Sequence, residues 1–339
     1  LRLANFRFGT LGAAAPRTLR LSGIGLAVAL VAPLSLLVAL CIGSVPMEPA
    51  RLARALAGGG DAVAHEIVWG LRAPRAFAGF ACGALLALAG VLLQNLLRNP
   101  LADPGILGIS GGAAVGALAG ILVGLSGVPV QLAAFAGAMG AAVLLLLTAA
   151  RLGPCDVTRV LLLGVALAAM FGAVVSLLLA LAPAMQLQGM LFWLLGDLSA
   201  ADAPWPAWIV LVVALAVSSS LARSFDVLQL GPDKARSLGV DTRRIHGAAL
   251  LIATASTVAA VMLAGAIGFV GLVVPQALRL AGVHHHRRLL PLAAAAGGAL
   301  VTLCDTLARS LVAPLELPVG ALLALLGAPA LLLLLARTR

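Results

Sequence analysis

Charge is scarce in this chain. Of 339 residues, 10% are charged and 62% are apolar. A soluble domain carries about 25% charged and about 45–50% apolar residues, so a soluble fold could not cover this much apolar surface. Lysine is almost missing, and Lys234 is the only one. No Gly-x-x-x-x-Gly-Lys-Ser/Thr phosphate loop occurs, so if ATP drives this protein another chain binds it. Cysteine is limited to Cys41, Cys82, Cys155 and Cys304, each standing alone. That scatter fits neither a disulfide framework nor a zinc site. Histidine is missing from the interior of every predicted span, which removes the base that an intramembrane Ser/His hydrolase needs. No catalytic residue, metal site or cofactor held by this chain is expected.

What the chain has instead is long apolar runs. A membrane-crossing helix needs about 20 apolar residues. Ten runs qualify, at roughly 19–44, 74–97, 106–125, 128–150, 158–182, 205–222, 243–263, 266–282, 289–312 and 319–336. The reading is an all-α membrane protein, a single integral domain over residues 1–339 with ten transmembrane helices. No polar loop separates the seventh and eighth runs near Gly265, so one bent or broken helix also fits there. Arg2, Arg7, Arg17 and Arg20 precede a first run that is long and lacks a convincing cleavage site, which reads as an uncleaved span.

The net charge of +10 would suggest nucleic acid in a soluble protein. Here it sorts by side. With the N-terminus inside, 17 of the 22 Lys and Arg residues fall in inside segments. This asymmetry predicts both termini in the cytoplasm and no nucleic-acid partner. The five outside exceptions, Arg51, Arg54, Arg72, Arg75 and Arg309, call for a reason.

Several short patterns carry local chemistry. Prolines 100 and 104 make the corner from Arg98 to Gly105 a rigid turn. Glycines 108, 112, 116, 120 and 124 clear one stripe of the third span for close approach of a neighbour. The segment 226–240 is the longest polar inside loop. Within it Asp233 to Leu238 can form a short amphipathic helix, with Pro232 near its start and Gly239 at its end. Its apolar residues Leu228, Leu230, Ala235 and Leu238 need cover, which points to a docked partner. Asp305 and Arg309 lie one turn apart on the ninth span and read as an ion pair, because a lone charge in a span is costly. Glu316 reads as a turn contact. His284, His285 and His286 are adjacent and cannot easily converge on one ion; with Arg287 and Arg288 they read as a solvated basic turn. An ion-coupled secondary transporter would need acidic or histidine residues at mid-membrane, and the spans lack them apart from Asp305 near an outer end.

In order along the chain stand Arg72-Ala73-Pro74-Arg75, then Gln94 with Arg98-Asn99-Pro100-Leu101-Ala102-Asp103-Pro104, then Phe192-Trp193-Leu194-Leu195-Gly196 and Leu238-Gly239-Val240. Gly265 to Pro275 and Glu316-Leu317-Pro318-Val319-Gly320 follow. This series resembles the permease subunits of type II ABC importers, the family that carries ferric siderophores, haem and cobalamin, over nearly the whole chain. The resemblance implies a homodimer with a pathway on its two-fold axis, in a bacterial inner membrane. It also implies two cytoplasmic ABC ATPase subunits that hold ATP and Mg, and a periplasmic substrate-binding protein. Arg72, Arg75 and Arg309 match arginines that meet glutamates of that binding protein. Asn99, Leu101, Asp156 and Val157 match cytoplasmic gate positions. The ATPase-contacting loop corresponds to about 226–240, with Leu230, Gly231, Asp233, Ala235, Arg236, Leu238 and Gly239. Two positions depart from the pattern: Gln276, where the family usually has His, and Asp156, often a small hydroxyl residue. The expected activity is import of an iron compound, haem or a ferric siderophore, by alternating access, with cobalamin as the alternative cargo.

Overall fold

A computed structural model describes residues 17–336, except 46, 60, 153–156, 200, 202–203 and 314. Asp156, Cys155, Arg2 and Arg7 lie outside the described residues. The described elements are helical throughout. In chain order they are α1 (Arg17–Cys41), α2 (Pro49–Leu56), α3 (Ala62–His65), a π-helical stretch (Glu66–Arg72) and α4 (Ala73–Leu96). A 3₁₀ turn (Pro104–Leu107) leads into α5 (Ile109–Leu122), α6 (Val128–Leu152), α7 (Val157–Leu181) and α8 (Ala184–Leu195). Then come α9 (Trp205–Ser220), α10 (Ala222–Leu228), α11 (Pro232–Ser237), α12 (Thr242–Ala264), α13 (Val270–Leu280), α14 (His286–Ala308) and α15 (Val319–Ala336).

A helix stands at each of the ten predicted positions, but not every one is long. Six are long and apolar enough to cross a bilayer, or seven if α9 and α10, bent by 60° at their junction, form one span. The shortfall has local causes. α5 has 14 residues, about 21 Å of helix, because the 3₁₀ turn and Gly108 take the start of the run and the turn at Gly124 takes its end. α13 is short because the chain breaks after Gly265, whose φ is 66°. The seventh and eighth runs are therefore separate helices. Phe269 sits in the same break at φ 67°, a region that bulky residues rarely enter. Its side chain fills the space left by Gly327 of α15, where an added Cβ would lie 2.7 Å from the Cβ of Phe269. α8 was not foreseen: its 12 residues fall below the length of a span.

The centre of the bundle is α4, packed between α14, α12 and α13. Missing side chains allow this. A Cβ on Gly83 would fall 2.1 Å from the carbonyl oxygen of Gly297, and one on Gly90 would fall 2.1 Å from that of Gly271. Backbones touch, and dispersion replaces the hydrophobic drive that lipid does not supply. The glycine stripe on α5 works in the same way at two positions. Gly116 lies against Ala133 of α6, and Gly112 against Gly137. Gly108 and Gly124 instead take positive φ, 76° and 86°, and turn the chain.

Candidate functional site

The bundle has two polar ends. One carries the arginines and the other carries the corner and the 226–240 arm. At the arginine end, Pro74 lies between Arg72, the last residue of the π-helical stretch, and Arg75 in the first turn of α4. Arg72 is buried. It donates to the carbonyls of Leu40 (2.9 Å), Cys41 (3.0 Å) and Val45 (2.6 Å). It thereby satisfies acceptors left open at the end of α1. Arg75 grips Asp305 with Nε (3.0 and 3.1 Å) and Nη2 (2.9 Å), and its Nη1 donates to Glu316 at 2.7 Å. Arg309, also buried, donates through Nη2 to Ala39 O.

The expected ion pair of Asp305 with Arg309 is present, with Arg309 Nε 3.8 Å from Asp305 Oδ2 and both side chains buried. At that distance it is a charge pair without a hydrogen bond, and the hydrogen-bonded partner of the carboxylate is Arg75. Arg75 presents its planar fork squarely to the carboxylate, whereas α1 draws the tip of Arg309 away. Glu316 is likewise more than a turn contact, because it completes the Arg75 clamp.

All three arginines line one cavity of about 220 Å³, together with Ser44, Ser199 and Glu316. Three guanidiniums face two carboxylates, which leaves one positive charge over. Arg309 Nε is buried without a hydrogen-bond partner among the described residues. A buried donor without a hydrogen bond, beside excess positive charge, suits an incoming carboxylate. None of the three arginines projects freely into solvent. The exposed cations at this end are on α2: Arg51, which pairs with Asp61 and holds that carboxyl below the usual range, and Arg54.

The same end holds a larger cavity of about 630 Å³ between the start of α6, α8 and the last turns of α12. Gln131, Gln186, Gln188, Phe192, Trp193 and Asp197 line it. The rest of its lining is mostly aliphatic, with Ile121, Leu125, Val130, Met185 and Met262 among it. The Phe192-Trp193 motif was visible in the sequence, but without α8 it had no place.

At the other end, the corner folds on its own side chains. Asn99 Oδ1 accepts from Leu101 N (2.9 Å), and Asp103 Oδ1 accepts from Gly105 N (2.8 Å). Burial pushes the Asp103 carboxyl up, partly offset by the Gly105 bond. Asn99 is half-buried and Leu101 is exposed. The 3₁₀ turn packs on α7, which Val157 opens. Behind the corner, Gln94 Nε2 donates to Gly271 O at 2.9 Å and its Oε1 accepts from Arg279. Gln276 is buried, with its Oε1 unpartnered among the described residues.

The amphipathic helix of the arm is α11, framed by Gly231 (φ 109°) and Gly239 (φ 81°). Asp233 and Arg236 pair along its exposed side at 2.9 Å. Leu228 and Ala235 are buried within the chain, while Leu230 (58%) and Leu238 (62%) remain exposed. Intrachain packing thus covers two of the four apolar residues. The histidine turn also needs correction. His284 and His285 are exposed as expected, but His286 is fully buried against Asp226 of α10, which the sequence separates by sixty positions.

Known proteins give this geometry a context. The chain is 42% identical over 301 residues to the cobalamin import system permease protein BtuC of Halobacterium salinarum, covering 86% of this chain and 80% of that one. It is 39% identical to the hemin transport system permease protein HmuU of Yersinia pestis, covering 90% and 94%. A solved inward-facing ABC transporter of the metal-chelate type superposes with a TM-score of 0.78 at 27% identity, over 93% of this chain and 99% of that one. The profile of the FecCD transport family matches residues 26–337. A helical bundle with a type II importer permease fold, matched from its first span to its last, leaves one assignment: this chain is an ABC importer permease and belongs to the FecCD transport family.

Proposed function

We propose that this permease works as a homodimer that passes a bulky metal chelate from outside the cell to the cytoplasm. Two ABC ATPase subunits at the 226–240 end drive it, and a binding protein feeds it at the arginine end. Both termini then lie in the cytoplasm. The observation that carries this reading is the layout of α12. Its first turn follows α11, where Leu230 and Leu238 await cover, and its last turns line the larger cavity. Twenty-three residues, about 35 Å of helix, separate a motor-facing surface from an entry chamber.

The arginine cavity suits a glutamate of the binding protein. Arg309 offers the free donor, and Arg72 and Arg75 fix the field. Asn99, Leu101, Asp156 and Val157 are assigned to the gate at the opposite end. Leu230, Gly231, Asp233, Ala235, Arg236, Leu238 and Gly239 are assigned to the ATPase contact.

For the cargo, relatives named for cobalamin and for hemin match over similar lengths. Both names describe large metal macrocycles. A mostly apolar chamber with two aromatic rings and three amides can take up such a ring without holding it tightly. We therefore widen the expected iron compound to this class, haem or a corrinoid, with ferric siderophores next. The test is uptake into proteoliposomes containing this chain, its ATPase subunit and its binding protein. Haem, cobalamin and a ferric siderophore are supplied in parallel. ATP-dependent uptake of one macrocycle is expected. Equal uptake with no ATPase subunit would overturn the reading.

A further inference from the structure

Asp226 and His286 meet where the arm joins the bundle. His286 opens α14 and is fully buried. Its backbone N–H donates to Asp226 Oδ1 at 2.9 Å, and its Nδ1 lies 2.7 Å from the same oxygen. The preceding residue, His285, supplies no side-chain cap to the helix. A residue sixty positions away on the arm caps it instead. The His286 ring also lies against Phe225, with centroids 5.7 Å apart. Phe225 is fully buried, and its carbonyl accepts from Asn95 Nδ2 of α4 at 3.4 Å. The arm that carries α11 is thus fastened through two adjacent residues to two helices, α14 and α4.

Those two helices are tightly packed against each other. Gly83 and Gly297 bring their backbones together at mid-length, and Arg75 and Asp305 clamp them at the far end. An ordinary N-cap would need only the backbone bond. A buried imidazole on the same oxygen, a ring contact and a second anchor on α4 make the joint stiff in more than one direction.

We propose that Asp226 and His286 are positioning residues that transmit movement between the ATPase-facing arm and the α4–α14 body. Docking at the arginine cavity is thereby reported to the motor, and the motor's stroke is returned. This rests on the permease reading above.

The test uses the whole complex of this chain with its ATPase subunit, reconstituted in proteoliposomes. ATP hydrolysis is measured before and after adding loaded binding protein. Asp226→Ala deletes a half-buried charged acceptor, and the stimulation by binding protein should fall about tenfold. The affinity for binding protein should stay within about twofold, because the arginine cavity lies at the other end. Asp226→Asn keeps an oxygen that can accept from His286 and should keep most of the stimulation. A merely structural cap would lower the melting temperature and leave the stimulation ratio intact. An assembled Asp226→Ala complex with wild-type stimulation overturns the proposal. If that variant does not assemble, His286→Ala, which removes only the side-chain half of the joint, is measured in the same way, and wild-type stimulation there overturns it equally. If the wild-type complex itself shows no ATPase activity or stimulation, the permease reading fails first, and this inference with it.

Discussion

α4 and α7 are equally apolar helices with opposite surroundings. In the most apolar 18-residue stretch of the span Ala62–Leu96, 89% of residues are buried inside the protein, against 11% in that of Leu161–Leu181. Hydropathy cannot separate them, because lipid and protein interior are alike to a leucine. Glycine position does. Gly83 and Gly90 of α4 each face a backbone carbonyl of another helix, whereas Gly172 of α7 and Gly189 of α8 have nothing within 4 Å. The α7–α8 face instead shows Leu162, Val165, Leu177, Leu181 and Met185, the last 96% exposed. Small residues that meet something mark the core, and large residues that meet nothing mark a face awaiting lipid or a second copy.

The sharpest way to break this contrast is to fill the glycines. Gly83→Leu should abolish a monodisperse, folded protein, because the new side chain would displace the backbone of α14. Gly172→Leu should leave folding intact. Size-exclusion profiles in detergent compare the two, and equal behaviour would refute the contrast. Next in size is the clamp that ties α4 to α14. Asp305→Ala strands Arg75 without its main partner, and breaking a buried pair costs about 3–5 kcal/mol. A large drop in melting temperature in detergent is expected. A smaller and different effect is expected on the α7–α8 face. Met185→Glu should leave the melting temperature nearly unchanged but convert the proposed dimer to a monomer by light scattering. The smallest change belongs to the exposed Arg51–Asp61 pair. Arg51→Gln should leave the melting temperature within error, because such pairs are solvent-screened. It should also return the Asp61 carboxyl toward its ordinary range, as read by NMR titration.

Much of the bundle was legible, and the reasons are physical. Apolar length placed a helix at all ten positions, and turn chemistry placed α11 and the corner within a residue or two. What was hidden depends on long-range meetings. The grip of Arg75 on Asp305 joins residues 230 apart, so local spacing showed only the longer pair with Arg309, one turn away. His286 looked solvated because its neighbours are, and its partner Asp226 stands in a different segment. Arg72, Arg75 and Arg309 could be picked out as outside exceptions. That they turn inward onto one small cavity could not be read, because it depends on where α1 ends. α8 was missed because it is too short to register as a span and too apolar to register as a loop.

The seating of Phe269 on Gly327 has a consequence for how such chains diverge. One residue is held in a backbone shape that bulky side chains avoid, and the other has given up its side chain to make room. Neither can drift alone: a larger residue at 327 would strike the ring, and a smaller one at 269 would leave a hole. Across descendants of this protein the two sites should therefore change together or stay as they are, a paired inheritance that aligned sequences can reveal without any experiment.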